Sequence, residues 1–286
     1  MLSGVTVPLV TPMSAPGVPT EADAFLASLA DAGVRGLMLF GSNGEGPLLP
    51  VSALGPFASW AAARWRALTG GPVLCNVTAA GTAEVLERVA AVAPARPDAL
   101  VLSPPIYFHH RADEILAHYT ALSDVDIPVV VYNAPRYSNP LTPALIDALV
   151  DLPHVVGVKD SSGDEELLRH IVFAAKRAGV SVSQGAETQA LAGLRLGADG
   201  IVPGLANLAP RLAVELFDTR AEVAQEALNR LFALHGVRPG VPAVKAILHH
   251  RGLCPPHVAP PLRPCTDAEL TALLAHLGDD TRHLIA

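Results

Sequence analysis

Short apolar runs alternate with longer stretches of helical periodicity along most of the chain. The runs are rich in valine, as is typical of strands, whereas the stretches between them repeat apolar residues every three or four positions. Eight strands are predicted, at 5–10, 36–40, 73–77, 99–102, 128–132, 155–159, 180–184 and 200–202. Eight helices are predicted after them, at about 20–32, 51–68, 81–93, 112–123, 142–150, 164–178, 186–196 and 207–218.

This alternation predicts an α/β fold, a closed (β/α)8 TIM barrel with a C-terminal helical extension. The strands are nearly continuous apolar runs, as expected for a parallel sheet that is covered on both faces. The repeating units end near residue 219, so we predict the barrel over 1–219 and the helical extension over 220–286, packed together as one structural unit. An open, doubly wound sheet is the alternative architecture.

Composition and charge restrict the partners and the compartment. The 286 residues carry a net charge of −7, which argues against nucleic acid because binding a phosphate backbone needs a basic face. No apolar run approaches the roughly 18–20 residues that span a bilayer, and the first residues lack the pattern of a signal peptide. Three cysteines, Cys75, Cys254 and Cys265, form an odd and sparse set that fits reduced thiols. We therefore expect a cytoplasmic protein without nucleic-acid or membrane partners.

Polar residues at the ends of the strands narrow the chemistry, because barrels of this type build their active sites there. No histidine follows a predicted strand directly, which argues against a metal-dependent barrel enzyme. The glycine-rich turn after the second strand lacks the Gly-x-Gly-x-x-Gly spacing of a dinucleotide site. We therefore expect neither a metal nor a cofactor. A zinc site in the C-terminal region is an alternative, built from His249, His250, Cys254, His257 and Cys265.

A lysine and a tyrosine remain at neighbouring strand ends. Lys159 ends the sixth strand beside Val156 and Val158, and an amine in apolar surroundings becomes a nucleophile that forms a Schiff base with a carbonyl carbon. Tyr132 ends the fifth strand and is suited to carry protons during imine formation. The alternatives are a solvated cation at a strand end and an aromatic side chain at the edge of the core.

The turn "GSNGE" after the second strand has the composition of an anion-binding site. Successive backbone N–H groups in glycine-type turns form a concave nest for a carboxylate or phosphate. Ser42, Asn43 and Gly44 would hold the carboxylate of a 2-oxo acid and present its C2 carbonyl to Lys159. The alternative is a turn that needs glycine only for its backbone conformation.

Several motifs, in order, resemble those of one enzyme superfamily. "VPLVTPM", "GSNGE", "VYNAP", "GVKDSSGD", "LGADGIVPGLAN" and "VPAVKAIL" are similar to the motifs of the dihydrodipicolinate synthase / N-acetylneuraminate lyase superfamily of class I aldolases, over essentially the whole chain. The resemblance implies that Lys159 forms the Schiff base and that Tyr132 relays protons. It also implies that Ser42 links Tyr132 to a second tyrosine from a neighbouring subunit, for which Tyr107 is the candidate.

The same resemblance implies pyruvate contacts at Asn43 and Val202, and a homo-oligomer, either a dimer or a tetramer. Family synthases bind the carboxylate of their second substrate with an arginine at the position of Tyr137, whereas here Arg136 stands one position earlier. The residues of these motifs are more similar to those of 4-hydroxy-2-oxoglutarate aldolases and 2-keto-3-deoxy sugar-acid aldolases. Further residues expected to line the pocket are Arg136, Ser138, Gly185, Glu187 and Asn207.

We therefore expect a pyruvate-dependent lyase whose small-molecule partners are a 2-oxo acid and an aldehyde, with cleavage or formation of a C–C bond. One alternative is dihydrodipicolinate synthase, which condenses pyruvate with aspartate semialdehyde. Another is a catalytically inactive barrel with a binding or regulatory role.

Overall fold

Eight parallel strands close into a barrel in the computed structural model, which describes residues 2–285. The strands are β1 (Gly4–Pro8), β2 (Gly36–Leu39), β3 (Val73–Asn76), β4 (Ala99–Leu102), β5 (Val129–Asn133), β6 (Val155–Asp160), β7 (Ser181–Gln184) and β8 (Gly200–Ile201). Each strand pairs with its sequence neighbours, and β1 pairs with β8 through Gly4 and Gly200. The predicted TIM barrel is confirmed, and the closed strand order is incompatible with an open, doubly wound sheet.

Eight helices surround the barrel: α1 (Asp23–Asp31), α2 (Val51–Thr69), α3 (Thr82–Val92), α4 (Ala112–Thr120), α5 (Pro143–Val150), α6 (Glu165–Ala178), α7 (Ala190–Leu196) and α8 (Pro210–Thr219). Side chains cap several of them as the sequence suggests. The Thr142 hydroxyl accepts a hydrogen bond from the Leu145 N–H, and the Asp164 carboxylate accepts one from the Leu167 N–H. These caps begin α5 and α6 at the predicted positions.

Three further helices follow the barrel: α9 (Glu222–Phe232), α10 (Val241–His250) and α11 (Asp267–Leu277). The first eight residues of α10 are all buried, so neighbouring elements cover this helix except at its end, where His249 and His250 are exposed. The division at 219/220 stays a prediction, and its outermost residues, 1 and 286, lie outside the described part of the chain. No helix within 2–285 has the length and apolar character needed to cross a membrane.

Two helices begin later than predicted, because tight turns precede them. One-turn 3₁₀ segments, Glu187–Gln189 and Gly204–Asn207, stand before α7 and α8. Strand β1 also ends earlier, at Pro8, since the Asn207 side chain takes over the N–H of Val10 at 2.9 Å. A two-stranded hairpin, Met13–Ala15 with Val18–Pro19, was not predicted. The early end of β1 arises from a contact between residues far apart in sequence, whereas the 3₁₀ turns and the hairpin are local.

Candidate active site

The strand register brings Lys159 and Tyr132 together at one mouth of the barrel. They are paired positions of β6 and β5, and paired residues of neighbouring parallel strands point to the same side of a sheet. The Lys159 Nζ lies 4.0 Å from the centroid of the Tyr132 ring and 3.9 Å from the Met38 Sδ. Lys159 is 4% exposed. This lysine is therefore enclosed by the barrel rather than solvated at a strand end.

The immediate surroundings of Lys159 differ in part from the prediction. Val156 lines the barrel interior as expected, but Val158 packs in the outer layer between strands and helices. Gly185 approaches the lysine instead: a Cβ atom there would lie 2.9 Å from the Lys159 Cε and would collide with the Ser161 Oγ. Any side chain at position 185 would displace the amine, so glycine is required there.

Three polar groups adjust the acidity of the Tyr132 phenol. Burial alone would raise its pKa, but the charge of Lys159 and hydrogen-bonding interactions with Ser161, Ser42 and Lys159 outweigh burial, and the pKa lies below its ordinary value. A phenol that releases its proton more readily is better suited to exchange protons with a bound substrate near neutral pH.

A second polar pair fixes the same two strand ends from the outside of the barrel. The Asn133 Nδ2 donates to the Asp160 Oδ1 at 2.7 Å, and the Ser162 Oγ donates to the Asp160 Oδ2 at 2.9 Å. Burial raises the pKa of Asp160 despite these hydrogen bonds. Asn133 and Asp160 follow Tyr132 and Lys159 directly, so this contact holds the two reactive side chains in register.

The turn 41–46 lies beside this pair and offers unused backbone donors. Its closing hydrogen bonds run from the Glu45 N–H to the Ser42 carbonyl at 3.2 Å and from the Gly46 N–H to the Gly41 carbonyl at 3.3 Å. Within residues 2–285, the N–H groups of Ser42, Asn43 and Gly44 have no hydrogen-bond acceptor. Successive backbone N–H groups without an acceptor are the kind of donor that binds a carboxylate, so the role predicted for this turn stays a prediction.

A half-buried carboxyl group stands across from this turn. The Glu187 Oε2 accepts from the Leu205 N–H at 2.7 Å, and a Cβ atom on Gly204 would lie 3.0 Å both from the Glu187 Oε1 and from the Asn43 Nδ2. Burial raises the pKa of Glu187 to about 7, although the N–H groups of Leu205 and Gly204 and the charge of Lys159 lower it. Asn43 and Glu187 therefore both approach Gly204, and the nearby Val202 is buried in the interior cluster that also contains Tyr132.

The other predicted pocket residues lie in three different settings. Asn207 differs from the prediction, since its buried amide is consumed by hydrogen bonds to Val10, Pro8 and Gly204 and ties β1 to β8. Arg136 is exposed, 5.9 Å from the ring of Tyr137, and Ser138 is half-buried with its hydroxyl on the Ala134 carbonyl. Arg136 and Ser138 therefore lie on the outer side of the segment that follows β5, whereas Asn207 lies in the interior.

Tyr107 lies outside the site of its own chain. It is 87% exposed, its ring packs edge-on against Phe108 with centroids 4.8 Å apart, and its φ is +82°. A left-handed conformation is unfavourable for a tyrosine.

The histidines and cysteines of the C-terminal region do not form a metal site. Over the described range 2–285, no group of three or more His, Cys, Asp or Glu side chains is arranged to hold a metal ion. The alternative zinc site of residues 249–265 therefore receives no support from the structure.

Ser161 is a site residue that sequence reasoning missed. It stands two positions after Lys159, and the apolar pattern predicts a strand that ends at Lys159, so Ser161 falls outside the predicted strand. The alternation of side chains along an extended segment places residues i and i+2 on the same face. That spacing was the available signal, because it directs Ser161 toward the mouth beside Lys159.

Ser161→Ala is expected to raise the pKa of Tyr132, because it removes one of the hydroxyl groups that lower it. The limb of the pH–kcat profile that belongs to Tyr132 should move to higher pH, and kcat should fall about three- to tenfold. Ser162→Ala is the matched control, since that hydroxyl binds Asp160 on the outer face. Equal profiles for both variants would contradict the assignment.

Comparison with known proteins assigns the chain to a protein family. The model of the dihydrodipicolinate synthetase family matches residues 1–279. The chain belongs to this family. Its members include the class I pyruvate aldolases of the dihydrodipicolinate synthase / N-acetylneuraminate lyase superfamily, so the resemblance drawn from the motifs is confirmed. The chain is a lyase-class enzyme and a pyruvate-dependent aldolase or lyase of the dihydrodipicolinate synthetase family.

Curated relatives in the dihydrodipicolinate synthetase family carry two kinds of name. An uncharacterised DapA-like lyase of Halobacterium salinarum is 32% identical over 97% of this chain and 94% of its own length. A 4-hydroxy-tetrahydrodipicolinate synthase of Ruegeria pomeroyi is 32% identical over 86% of this chain and 88% of its own length.

Solved structures of the family share the fold. YagE of Escherichia coli K12, determined in complex with pyruvate, superimposes with a TM-score of 0.89 and 25% identity over 98% of this chain and 99% of its own. A dihydrodipicolinate synthase of Thermotoga maritima superimposes with a TM-score of 0.90 at 23% identity over 98% of this chain and 99% of its own.

Proposed function

We propose that this enzyme cleaves 4-hydroxy-2-oxo acids to pyruvate and an aldehyde through a Schiff base on Lys159. The observation that carries the proposal is the enclosed Lys159 amine, 4.0 Å from the Tyr132 ring and beside a turn with free N–H groups. A substrate of the class of 4-hydroxy-2-oxoglutarate or a 2-keto-3-deoxy sugar acid fits these groups. Its carboxylate binds turn 41–46 and its C2 faces Lys159.

The reaction balances with the groups of this mouth. The amine of Lys159 attacks C2, and loss of water gives a protonated imine that withdraws electrons from C3. Tyr132 takes the proton of the C4 hydroxyl, the C3–C4 bond breaks, and the aldehyde leaves. The resulting enamine takes a proton at C3 from Tyr132, and water hydrolyses the pyruvyl imine to pyruvate and the free lysine.

The rim residues Arg136 and Ser138 would then distinguish between aldehydes, whereas Glu187 borders the carboxylate end of the substrate. The partly neutral carboxyl of Glu187 lies next to Asn43, which belongs to the turn that would bind that carboxylate. Arg136 and Ser138 stand farther out, near the distal end of a longer substrate. Gly185 would leave room for the substrate because it has no side chain, and Val202 would form an apolar surface beneath it.

We also infer a homo-oligomer in which the partner subunit's Tyr107 completes the hydroxyl relay through Ser42 and Tyr132. The exposed ring of Tyr107 supports this arrangement, since it lies outside the mouth of its own chain. Sedimentation velocity on the wild type and on Tyr107→Phe would separate assembly from proton transfer. A monomeric wild type with full activity would contradict the inference.

Condensation of pyruvate with aspartate semialdehyde is the second candidate. The curated 4-hydroxy-tetrahydrodipicolinate synthases that are 32% identical to this chain favour it. The exposed Arg136, adjacent to Tyr137, would then bind the carboxylate of the semialdehyde.

Trapping with borohydride tests the shared mechanism, and a substrate panel separates the two candidates. The enzyme is incubated with pyruvate, reduced and digested, and the adduct is mapped among the three lysines, 159, 176 and 245. An adduct on Lys159 supports the proposal, whereas a folded enzyme without adduct contradicts it. Pyruvate release from hydroxy-oxo acids is then compared with consumption of aspartate semialdehyde, and faster condensation would favour the second candidate.

The affinity for pyruvate is expected to depend on pH through Glu187. As the pH rises through about 7, this carboxyl becomes anionic beside the site of the substrate carboxylate, and like charges repel. KM for pyruvate should therefore increase, about three- to tenfold between one unit below and one unit above that pKa. Glu187→Gln should remove this dependence, and the exposed carboxylate variant Glu165→Gln should keep it. A wild-type KM that is constant with pH would contradict the placement of Glu187.

A further inference from the structure

A buried ion pair lies directly behind the turn 41–46. The Lys245 Nζ of α10 lies 2.6 Å from the Glu45 Oε1, and the two side chains are 0% and 1% exposed. The Glu45 Oε2 accepts from the Ala259 N–H at 2.6 Å, and the Lys245 Nζ donates to the His257 carbonyl at 2.7 Å. Among residues 2–285, the polar partners of the Glu45 carboxylate therefore all come from the C-terminal extension.

We propose that the Glu45–Lys245 ion pair positions turn 41–46 for binding the carboxylate of the 2-oxo acid, so that the C-terminal extension is part of the active site. This inference rests on the proposed function. Neither residue contacts the reacting atoms, and both act through the backbone of the turn.

The conformation of Glu45 explains why the turn needs an anchor. Glu45 has a φ of +57°, a left-handed conformation that is unfavourable for a residue with a side chain. The ion pair and the Ala259 N–H fix the end of that side chain, and the Glu45 N–H closes the turn onto Ser42. Displacement of Glu45 would move Ser42 and Asn43, which lie within three residues of it.

Other contacts hold the neighbouring residues of the turn but do not hold the Glu45 side chain. The Thr11 hydroxyl donates to the Gly44 carbonyl at 2.6 Å, and the Arg88 guanidinium donates to the Gly46 carbonyl at 3.0 Å. Both contacts bind carbonyl groups and therefore leave the N–H groups of Ser42, Asn43 and Gly44 available. The ion pair is the contact that fixes the orientation of the residue between Gly44 and Gly46.

The charges are not needed merely to attach the extension. Apolar side chains of similar volume often stabilise a protein core as well as a buried ion pair does. A carboxylate that is paired with an ammonium group and accepts from a backbone N–H, in contrast, is held at a defined distance and in a defined direction. The ion pair therefore suits a role in geometry.

The test compares pyruvate with its uncharged methyl ester. The half-saturating concentrations of pyruvate and of neutral methyl pyruvate are measured by borohydride trapping in the wild type and in the double variant Glu45→Gln/Lys245→Met. We expect about a tenfold increase for pyruvate and about twofold or less for methyl pyruvate. Loss of folded enzyme alone lowers the amount trapped and leaves both half-saturating concentrations unchanged.

Arg66→Met is the matched control, because it breaks the Arg66–Asp98 ion pair, 3.1 Å long, at the opposite end of the barrel. It should lower the unfolding temperature without changing either half-saturating concentration. If the double variant does not fold, Glu45→Asp takes its place, since it keeps the charge but shortens the side chain by one methylene. The same selective increase is expected there.

The outcomes separate this inference from the proposed function. A wild type that pyruvate does not label overturns both. A labelled wild type together with equal shifts for the two ligands, or with no shift in a folded variant, overturns the positioning role alone.

Discussion

Lys159→Arg is expected to abolish aldol cleavage while leaving the barrel folded. A guanidinium keeps the positive charge beside Tyr132 but does not form an imine, so the electron sink is lost. kcat/KM should fall by about four orders of magnitude or more. The measurement is pyruvate release from a 4-hydroxy-2-oxo acid, together with borohydride trapping of the variant.

The other two lysines provide the control for this variant. Lys176→Arg changes an exposed residue of α6 and should retain both activity and labelling. Residual labelling of Lys159→Arg on Lys176 or Lys245, with activity preserved, would contradict the assignment of Lys159. Circular dichroism would confirm that both variants keep the fold.

Tyr132→Phe has the second largest expected effect. The ring that contacts the Lys159 amine is retained, but the hydroxyl that exchanges protons with the substrate is removed. kcat should fall about a hundred- to ten-thousandfold, the range typical of losing a general acid–base group. Borohydride trapping of pyruvate at long incubation should still label Lys159, because imine formation is slowed rather than prevented.

A suitable control for this variant is Tyr119→Phe. The Tyr119 hydroxyl is also buried, but it donates to the Leu102 carbonyl in the outer layer and meets the backbone of Tyr132, so its removal leaves the Tyr132 hydroxyl in place. This variant should lose stability with little change in kcat. If the two variants lost activity equally, the effect of Tyr132→Phe would reflect packing rather than proton transfer.

The sequence pattern predicts the barrel and its reactive pair because both follow from local rules. Strand and helix periodicities appear within single segments, and the ends of parallel strands meet at one mouth. Lys159 and Tyr132, as last residues of neighbouring strands, could therefore be assigned to one site. The observed pairing of these two residues in the β5–β6 ladder has the same origin.

The remaining features depend on contacts that no local pattern shows. Asn207 and Val10 are 197 positions apart, and their hydrogen bond shortens β1. Glu187 and Leu205 make a similar contact before α7. Ser161 was missed because the end of β6 was predicted one residue too early, at Lys159 instead of Asp160. The raised pKa of Glu187 follows from burial, which a sequence does not report.

The partners of Glu45 have a consequence for the order of events during biosynthesis. Glu45 and Ala259 are 214 positions apart, and the chain emerges from the ribosome from its N-terminus. All eight strands are therefore synthesised before Lys245 and Ala259 exist. Until residues 245–259 have left the ribosome, the Glu45 carboxylate lacks the partners that it has in the folded enzyme, so we expect the turn at the mouth to be fixed only after this segment docks.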